Sequence, residues 1–315
     1  MKKGPQKYDS LIKQISNWAN QSPDIHGVFI IGSRARTEKP ADEWADLDLM
    51  VIADHVEDYI RSSQWQNAID QFTMSIVEDA PLGGPQERRT MFQGGLDVDF
   101  AFIPNHRVQA LTKALTLQRK LPAVYNLLPK SNRNDVNSGV WNFSTIFNRG
   151  YRVLTDKDHL IPKLLPFLEG KKTIVLNPPS QDEFTHVTYD FWYHAVWSAK
   201  HLRRGELWWA KTGIDIRMKW NSLLPMTEWH ARAIHGWDYD TWHRGRFLEQ
   251  WADPRVVEGY KKSFARYDPE DCWNALLGTM ELFAWMAKET ADKLGYHYPI
   301  EAEQDAISMV TTLFG

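Results

Sequence analysis

Two short runs, Asp46-Leu47-Asp48 and Asp97-Val98-Asp99, carry the clearest chemical signal in the sequence. Each opens an apolar stretch, "LDLMVI" at 47–52 and "VDFAFI" at 98–103. A β-strand sends residues i and i+2 to the same face, so the aspartates of each run project side by side. If the two strands are neighbours, three or four carboxylates converge, and without a counter-charge some of them must take up a proton. A divalent cation removes that conflict. Hard oxygen ligands with room left for water suit Mg2+, which completes its shell with substrate phosphates.

A grip for those phosphates follows the apolar run Val28–Ile31, in the form of Gly32-Ser33. Glycine permits a tight turn and close backbone approach. Ser33 adds an N–H and a hydroxyl at the start of a short helix, a terminus that favours anions. Arg34 and Arg36 are placed to add charge-assisted bonds to a phosphate tail. Gly-Ser alone, or Asp-x-Asp alone, is a weak signal. Gly-Ser after one strand, Asp-Leu-Asp opening a second and an aspartate on a third make a much stronger one.

The elements that must position these groups are legible in outline. Leu11, Ile12, Ile15 and Trp18 form one stripe, predicting an amphipathic helix over 9–20 that ends before Pro23. Strands are expected at 28–31, 47–52 and 98–103. Residues 56–76 read as mostly helical, Ala80–Pro85 as a loop, and 151–160 as a further strand and turn. Near Asn177-Pro178-Pro179 the character changes, since that tripeptide continues neither a helix nor a sheet interior. Ser180 with Glu183 three residues on has the form of a capping box. Helical spacing then runs through 184–204, 206–223, 226–236 and 270–294. The expected fold class is α+β: a mixed-sheet domain over 1–175 followed by an all-α domain over 176–315.

Composition narrows the partners. A formal net charge of −3 and a pI near 6.4 provide no broad basic field, which argues against a nucleic-acid partner. The basic pairs Arg88-Arg89, Lys171-Lys172 and Lys261-Lys262 are scattered and read as solvated surface. No stretch approaches the roughly 20 apolar residues of a membrane span. The N-terminus lacks an apolar export signal, so a cytoplasmic protein is expected; a monomer is the separate expectation for its assembly. Cys272 is the single cysteine and reads as a small buried residue. The histidine spacings do not match a helical zinc site. Many of the 15 tryptophans fall between Trp192 and Trp242, where helical core packing competes with the walls of a ligand pocket.

The segments "GSRA", "DLDLMVI", "VDFAFIP", "VLTDKDHL", "FWYHAVWSAKHLRRGELWWAK" and "ALLGTMELFAWMAKETADKLGYHYP" span nearly the whole chain in that order. In these the sequence resembles the nucleotidyltransferase superfamily, which shares its catalytic core with DNA polymerase β. Within that superfamily it resembles the aminoglycoside 6-adenylyltransferases, the streptomycin-modifying enzymes. The resemblance implies ATP and Mg2+ as co-substrate and cofactor, with AMP transferred to an aminoglycoside hydroxyl and pyrophosphate released. It implies Asp46 and Asp48 as the metal pair and Asp99, rather than Asp97, as the third acidic position, whether as ligand or as general base. It also implies Lys200 as a triphosphate contact, beside Gly32, Ser33 and Arg34. The chain departs from the family pattern at Leu47, often a tyrosine there, at Ala35-Arg36-Thr37, where Asn-Pro is common, and at Asp190, usually a glutamate.

A polycationic acceptor calls for carboxylates and aromatic faces. Asp190 beside Trp192 is the preferred contact, with Asp182 and Glu206 as further candidates; Glu183 reads as a cap. Two other readings stand beside this one: the same chemistry on another small hydroxylated molecule, a protein or an RNA end, and a catalytically inactive nucleotide-binding module.

Overall fold

The computed structural model describes residues 4–79, 86–168 and 176–315. The chain divides into two compact units, Met1–Ile174 and Val175–Gly315. The loop expected at Ala80–Pro85, the pair Lys171-Lys172 and position 175 lie outside the described residues.

The first unit opens with α1 (Gly4–Gln21), whose Leu11, Ile15 and Trp18 are buried as their spacing predicts. Six strands follow: β1 (Ile25–Ile31), β2 (Leu47–Ala53), β3 (Phe72–Glu78), β4 (Glu87–Phe92), β5 (Leu96–Pro104) and β6 (Arg152–Asp156). They form an open sheet in the order β3-β4-β5-β2-β1-β6. β2 and β5 run parallel and every other pair is antiparallel, so the sheet is mixed.

Alternation along the strands sorts the side chains. Leu47, Leu49 and Val51 of β2, with Val98, Phe100 and Phe102 of β5, pack with α1 and α2 (Val56–Arg61) on one face. Met50 and Ile52 belong to the other face, with Phe29 and Ile31 of β1. That face is covered by α3 (Asn105–Lys120), α5 (Lys130–Phe147) and α6 (Leu160–Leu168), while α4 (Pro122–Asn126) links α3 to α5. Asp48 and Asp99 therefore point to the second face, at the end of the sheet where β2 and β5 begin.

Two expectations for the first unit are corrected. Residues 56–76 are not one helical stretch: α2 and a 3₁₀ turn at Gln64–Ala68 give way to β3. Phe72, Met74 and Ile76 have the spacing of a strand, but a bulge between Phe72 and Met74 breaks the period, and β3 lies largely exposed at the sheet edge. Nor is Arg88-Arg89 a solvated pair. Arg88 is 5% exposed, with its guanidinium donating to the carbonyls of Tyr59 and Ile60 and to Ser75 Oγ. Lys261-Lys262 is exposed as expected.

The second unit shows no strand among its described residues. It starts with α7 (Gln181–Arg203), capped as the sequence indicates: Ser180 Oγ accepts from Glu183 N–H at 3.2 Å, and Glu183 Oε2 accepts from Ser180 N–H at 2.7 Å. The helical stretch expected over 206–223 is α8 (Leu207–Thr212) continued by an 11-residue π-helical run, Gly213–Leu223, leading into α9 (Leu224–His235). Wide π turns are rare and favour functional sites. Gly213 lets this run lie against α7, since a Cβ there would sit 2.6 Å from the Trp197 ring. Helices α10 (Leu248–Trp251), α11 (Pro254–Lys261), α12 (Pro269–Leu294) and α13 (Ile300–Phe314) complete the unit. Its core stacks Phe191 on Phe283 with ring centroids 3.7 Å apart, and Cys272 is buried there. Among the described residues no helix is long and apolar enough to cross a membrane.

At the opposite end of the sheet from Asp48, His26 of β1 ties three elements together. Its Nδ1 lies 2.6 Å from Asp158 Oδ2 and its Nε2 2.8 Å from Asp54 Oδ2. Burial opposes charge on the imidazole, but the two carboxylates outweigh it and raise the pKa above the usual 6.5. A native pKa above the unfolded value stabilises the fold below pH 6.5, and that contribution is lost as pH rises through the raised value. The Asp54 carboxyl is held below its usual 3.8 chiefly by the bond from His26, so its share is lost at the acid end. Thermal melts of His26→Gln should therefore show a deficit of about 0.5–1 kcal/mol at pH 5.5–6 that shrinks by pH 9. An equal deficit at both pH values would contradict the clamp.

Candidate active site

β1 ends at Ile31, and the chain turns through Gly32 into a single 3₁₀ turn, Gly32–Arg34. Gly32 has φ +67, and a Cβ built there would fall 2.0 Å from Asp48 Oδ2. Only glycine satisfies both the backbone and the close approach of that carboxylate. Ser33 is buried, and its Oγ has no hydrogen-bond partner. The turn closes on Gly32, whose carbonyl accepts from the N–H groups of Ala35 and Arg36.

Sheet register aligns the charged groups. β1 places Ile31 opposite Asp48, β2 places Asp48 opposite Asp99, and β4 places Arg89 opposite Asp99. One row across four strands thus carries the turn, two carboxylates and a guanidinium. Asp46, just before β2, completes the set: Asp46, Asp48 and Asp99 each offer an oxygen within 4.8 Å of the others. Among the described residues this is the one group of three or more side chains so arranged. Asp97 lies outside it, opposite Met91, with its carboxyl raised by burial and by the charge of Asp46.

The electrostatics show what this grouping costs. Asp99 is 8% exposed, and its Oδ1 is buried without a partner. Burial pushes its pKa up to about 7; the charges of Glu87, Asp48 and Asp97 push the same way, while Arg89 opposes them. A divalent cation would supply the missing counter-charge. The all-oxygen donor set and the orphaned Oδ1 fit Mg2+, and the orphaned Ser33 hydroxyl on the neighbouring turn fits a phosphate ligand.

Arg34 stands differently from a free phosphate contact. Its Nε donates to the Asp46 carbonyl at 2.9 Å and its Nη2 to the Ala45 carbonyl at 2.5 Å. The guanidinium lies 3.6 Å above the centre of the Tyr8 ring. It braces the segment that delivers Asp46. Arg36 likewise donates to the Lys39 carbonyl.

The remaining predicted site residues belong to the second unit. Lys200 is exposed near the end of α7, and Asp182 is exposed in its first turn. Asp190 is partly buried, with Oδ1 accepting from Arg217 at 3.2 Å and Oδ2 from Ser222 at 3.1 Å. His194 Nδ1 is 3.3 Å from the same Oδ1. Glu206 binds His201 and Arg204, which hold its carboxyl below the usual range. Trp192 offers no pocket wall: it is 2% exposed, in the helical core, with its indole N–H donating to Tyr298 Oη. Exposed aromatic faces are supplied instead by Tyr193, Trp209 and Trp220.

Two residues near the carboxylates escaped the sequence reading. Trp44, 85% exposed, stands on the loop two residues before Asp46. Arg89 was hidden in an unremarkable basic pair. Its only local signal is Glu87 two residues earlier, which a strand places on the same face.

Replacing Gly32 by alanine should cost about 1–2 kcal/mol from the left-handed backbone alone. The new Cβ should also drive Asp48 out of the cluster, so Mn2+ titration of the folded variant should show binding weakened at least tenfold. Unaltered Mn2+ affinity would show that Asp48 is not held by this turn.

Comparison with known proteins bears on the same residues. A family model described as streptomycin adenylyltransferase matches residues 6–312. Aminoglycoside 6-adenylyltransferase of Bacillus subtilis (strain 168) is 22% identical over 282 residues, covering 87% of each chain. The Campylobacter jejuni protein of the same name is 21% identical over 296 residues, covering 92% of this chain and 90% of its own. A crystal structure of an aminoglycoside 6-adenyltransferase from Bacillus subtilis aligns over 96% of this chain and 97% of that one, at a TM-score of 0.43 and 16% identity. The family match takes in the turn, the acidic row and almost all of the helical unit, and the chain accordingly belongs to the streptomycin adenylyltransferase family, with nucleotidyl transfer as its general chemistry.

Proposed function

We propose that the protein transfers AMP from ATP to a hydroxyl of an aminoglycoside, with streptomycin as the first acceptor to test, and releases pyrophosphate. The observation that carries this reading is the row of Asp46, Asp48 and Asp99 beside the Gly32-Ser33 turn. In this reading Asp46, Asp48 and Asp99 would hold Mg2+, which when bound offsets the charge of the triphosphate and of the departing pyrophosphate.

The chain's own residues do the rest. The Ser33 hydroxyl, buried and partnerless, donates to a phosphate oxygen, and the tight turn at Gly32 lets the backbone approach it. Asp99, the most buried of the three, is either the third ligand or, in place of that, the base that takes the acceptor's hydroxyl proton. Lys200 is assigned to the triphosphate on the family pattern. Residues 1–175 then act as the nucleotidyl-transfer domain and 176–315 as the acceptor-binding domain.

For the acceptor, Asp190, Glu206 and Asp182 present carboxylates, and Tyr193, Trp209 and Trp220 present exposed aromatic faces. Asp190 and Glu206 each already hold an arginine of this chain. Amino or guanidino groups of the acceptor compete with those arginines for the same oxygens, by the same charge-assisted bonding.

Mg2+-dependent pyrophosphate release, assayed with streptomycin and then with a panel of hydroxylated metabolites, tests the reaction and the acceptor together. Asp46→Asn should lower turnover by about three orders of magnitude with an unchanged circular dichroism spectrum. Substantial residual turnover would remove Asp46 from the machinery. Asp190→Ala should raise the KM for the acceptor on the order of tenfold and leave that for ATP unchanged. Parallel changes in both would exclude Asp190 as an acceptor contact.

A further inference from the structure

The geometry points to Arg89 as a positioning residue that fixes the orientation of Asp99 from the neighbouring strand. This rests on the reading that Asp46, Asp48 and Asp99 hold a divalent ion. β4 runs antiparallel to β5 with Arg89 directly across from Asp99, and Arg89 Nε is 3.5 Å from Asp99 Oδ2. At that distance the contact is an ion pair rather than a hydrogen bond. The short bonds of the guanidinium go elsewhere. Nε and Nη2 donate to Glu87 Oε1 at 2.9 and 2.7 Å, and Nε is also 3.2 Å from Glu78 Oε2.

These contacts make Arg89 a fixed object. Glu87 holds it from its own strand and Glu78 from β3, across the edge hairpin. The side chain of Glu87 is 7% exposed, so this anchor is nearly withdrawn from solvent. Two glutamates against one arginine leave no net positive charge beside the cluster to repel a metal ion. The arginine can therefore attract Asp99 Oδ2 without acting as a rival cation.

A carboxylate rotates about one terminal torsion with a broad minimum, so holding one oxygen sets where the other points. Arg89 holds Oδ2; Oδ1 is the oxygen left buried and without a partner. Asp48 abuts the Gly32 turn, and Arg34 fixes the backbone carbonyl of Asp46. Asp99 has no such support from its own strand, and Arg89 supplies it. Without the guanidinium, Asp99 Oδ2 loses its ion-pair partner on β4 and the carboxylate is free to turn.

The test is Mn2+ binding to the metal-free full-length protein, read from the electron paramagnetic resonance of free Mn2+, with circular dichroism as the control for folding. Arg89→Met should weaken Mn2+ binding 10–100-fold, as loss of a residue that orients a metal ligand does. Arg89→Lys keeps the charge without the fork and should recover part of that loss. The double variant Glu87→Met/Arg89→Met separates positioning from simple neutralisation of Glu87, and it carries the test if the single variant does not fold. If Arg89 positions Asp99, the double variant stays weak. Recovery of wild-type affinity in the double variant, or unchanged or tighter binding in Arg89→Met, overturns the proposal. Wild-type protein that binds no Mn2+, or an Asp46→Asn variant that binds it as wild type does, overturns the metal reading and this proposal with it. Wild-type binding that Asp46→Asn abolishes and Arg89→Met leaves intact overturns this proposal alone.

Discussion

Repulsion among carboxylates governs the first unit. Asp46, Asp48 and Asp99 bring oxygens within 4.8 Å of one another, and the most buried of them is 8% exposed. Left alone, such a group relieves itself by protonation or by moving apart; burial first, and then the charges of Glu87, Asp48 and Asp97, push Asp99 toward the first of these responses. The surrounding structure resists the second. Parallel pairing of β2 with β5 sets Asp48 across from Asp99, and both strands sit among buried apolar neighbours that leave no slack.

The same constraint explains details that look unrelated. Gly32 is needed because Asp48 occupies the space a side chain would fill. Arg34 spends two donors on carbonyls, and so fixes the backbone that carries Asp46. On β4 the residues Glu87 and Arg89 serve charge rather than packing. Glu87 and Arg89 face the row while Arg88 turns to the opposite face and ties down α2. A sheet edge built this way gives up hydrophobic burial for a polar network whose members satisfy one another.

The helical unit solves a different problem. Its aromatic residues divide between a dry core, with Phe191, Trp192 and Phe283, and exposed faces at Tyr193, Trp209 and Trp220. Tryptophan residues close together in sequence thus serve both purposes. The π-helical run Gly213–Leu223 contributes Arg217 and Ser222 to Asp190. It also buries Lys219, whose ammonium donates to Thr279 Oγ1 at 2.6 Å and whose pKa burial depresses to about 7.

Sequence alone determined whatever depends on near neighbours in the chain. The two-residue period of a strand puts Asp46 with Asp48, a glycine at the end of an apolar run marks a turn, and Ser180 with Glu183 caps a helix. These are fixed within a few residues, and so they could be read directly. Which strands lie side by side was left to tertiary structure, because pairing is decided by burial of whole faces and not by any one segment. That is why the convergence of Asp48 with Asp99 was only conditional, why Arg89 passed for surface, and why Trp192 passed for a pocket wall. The charge of an arginine and the apolar body of a tryptophan are local properties; what each one faces is settled only when distant strands and helices close around it.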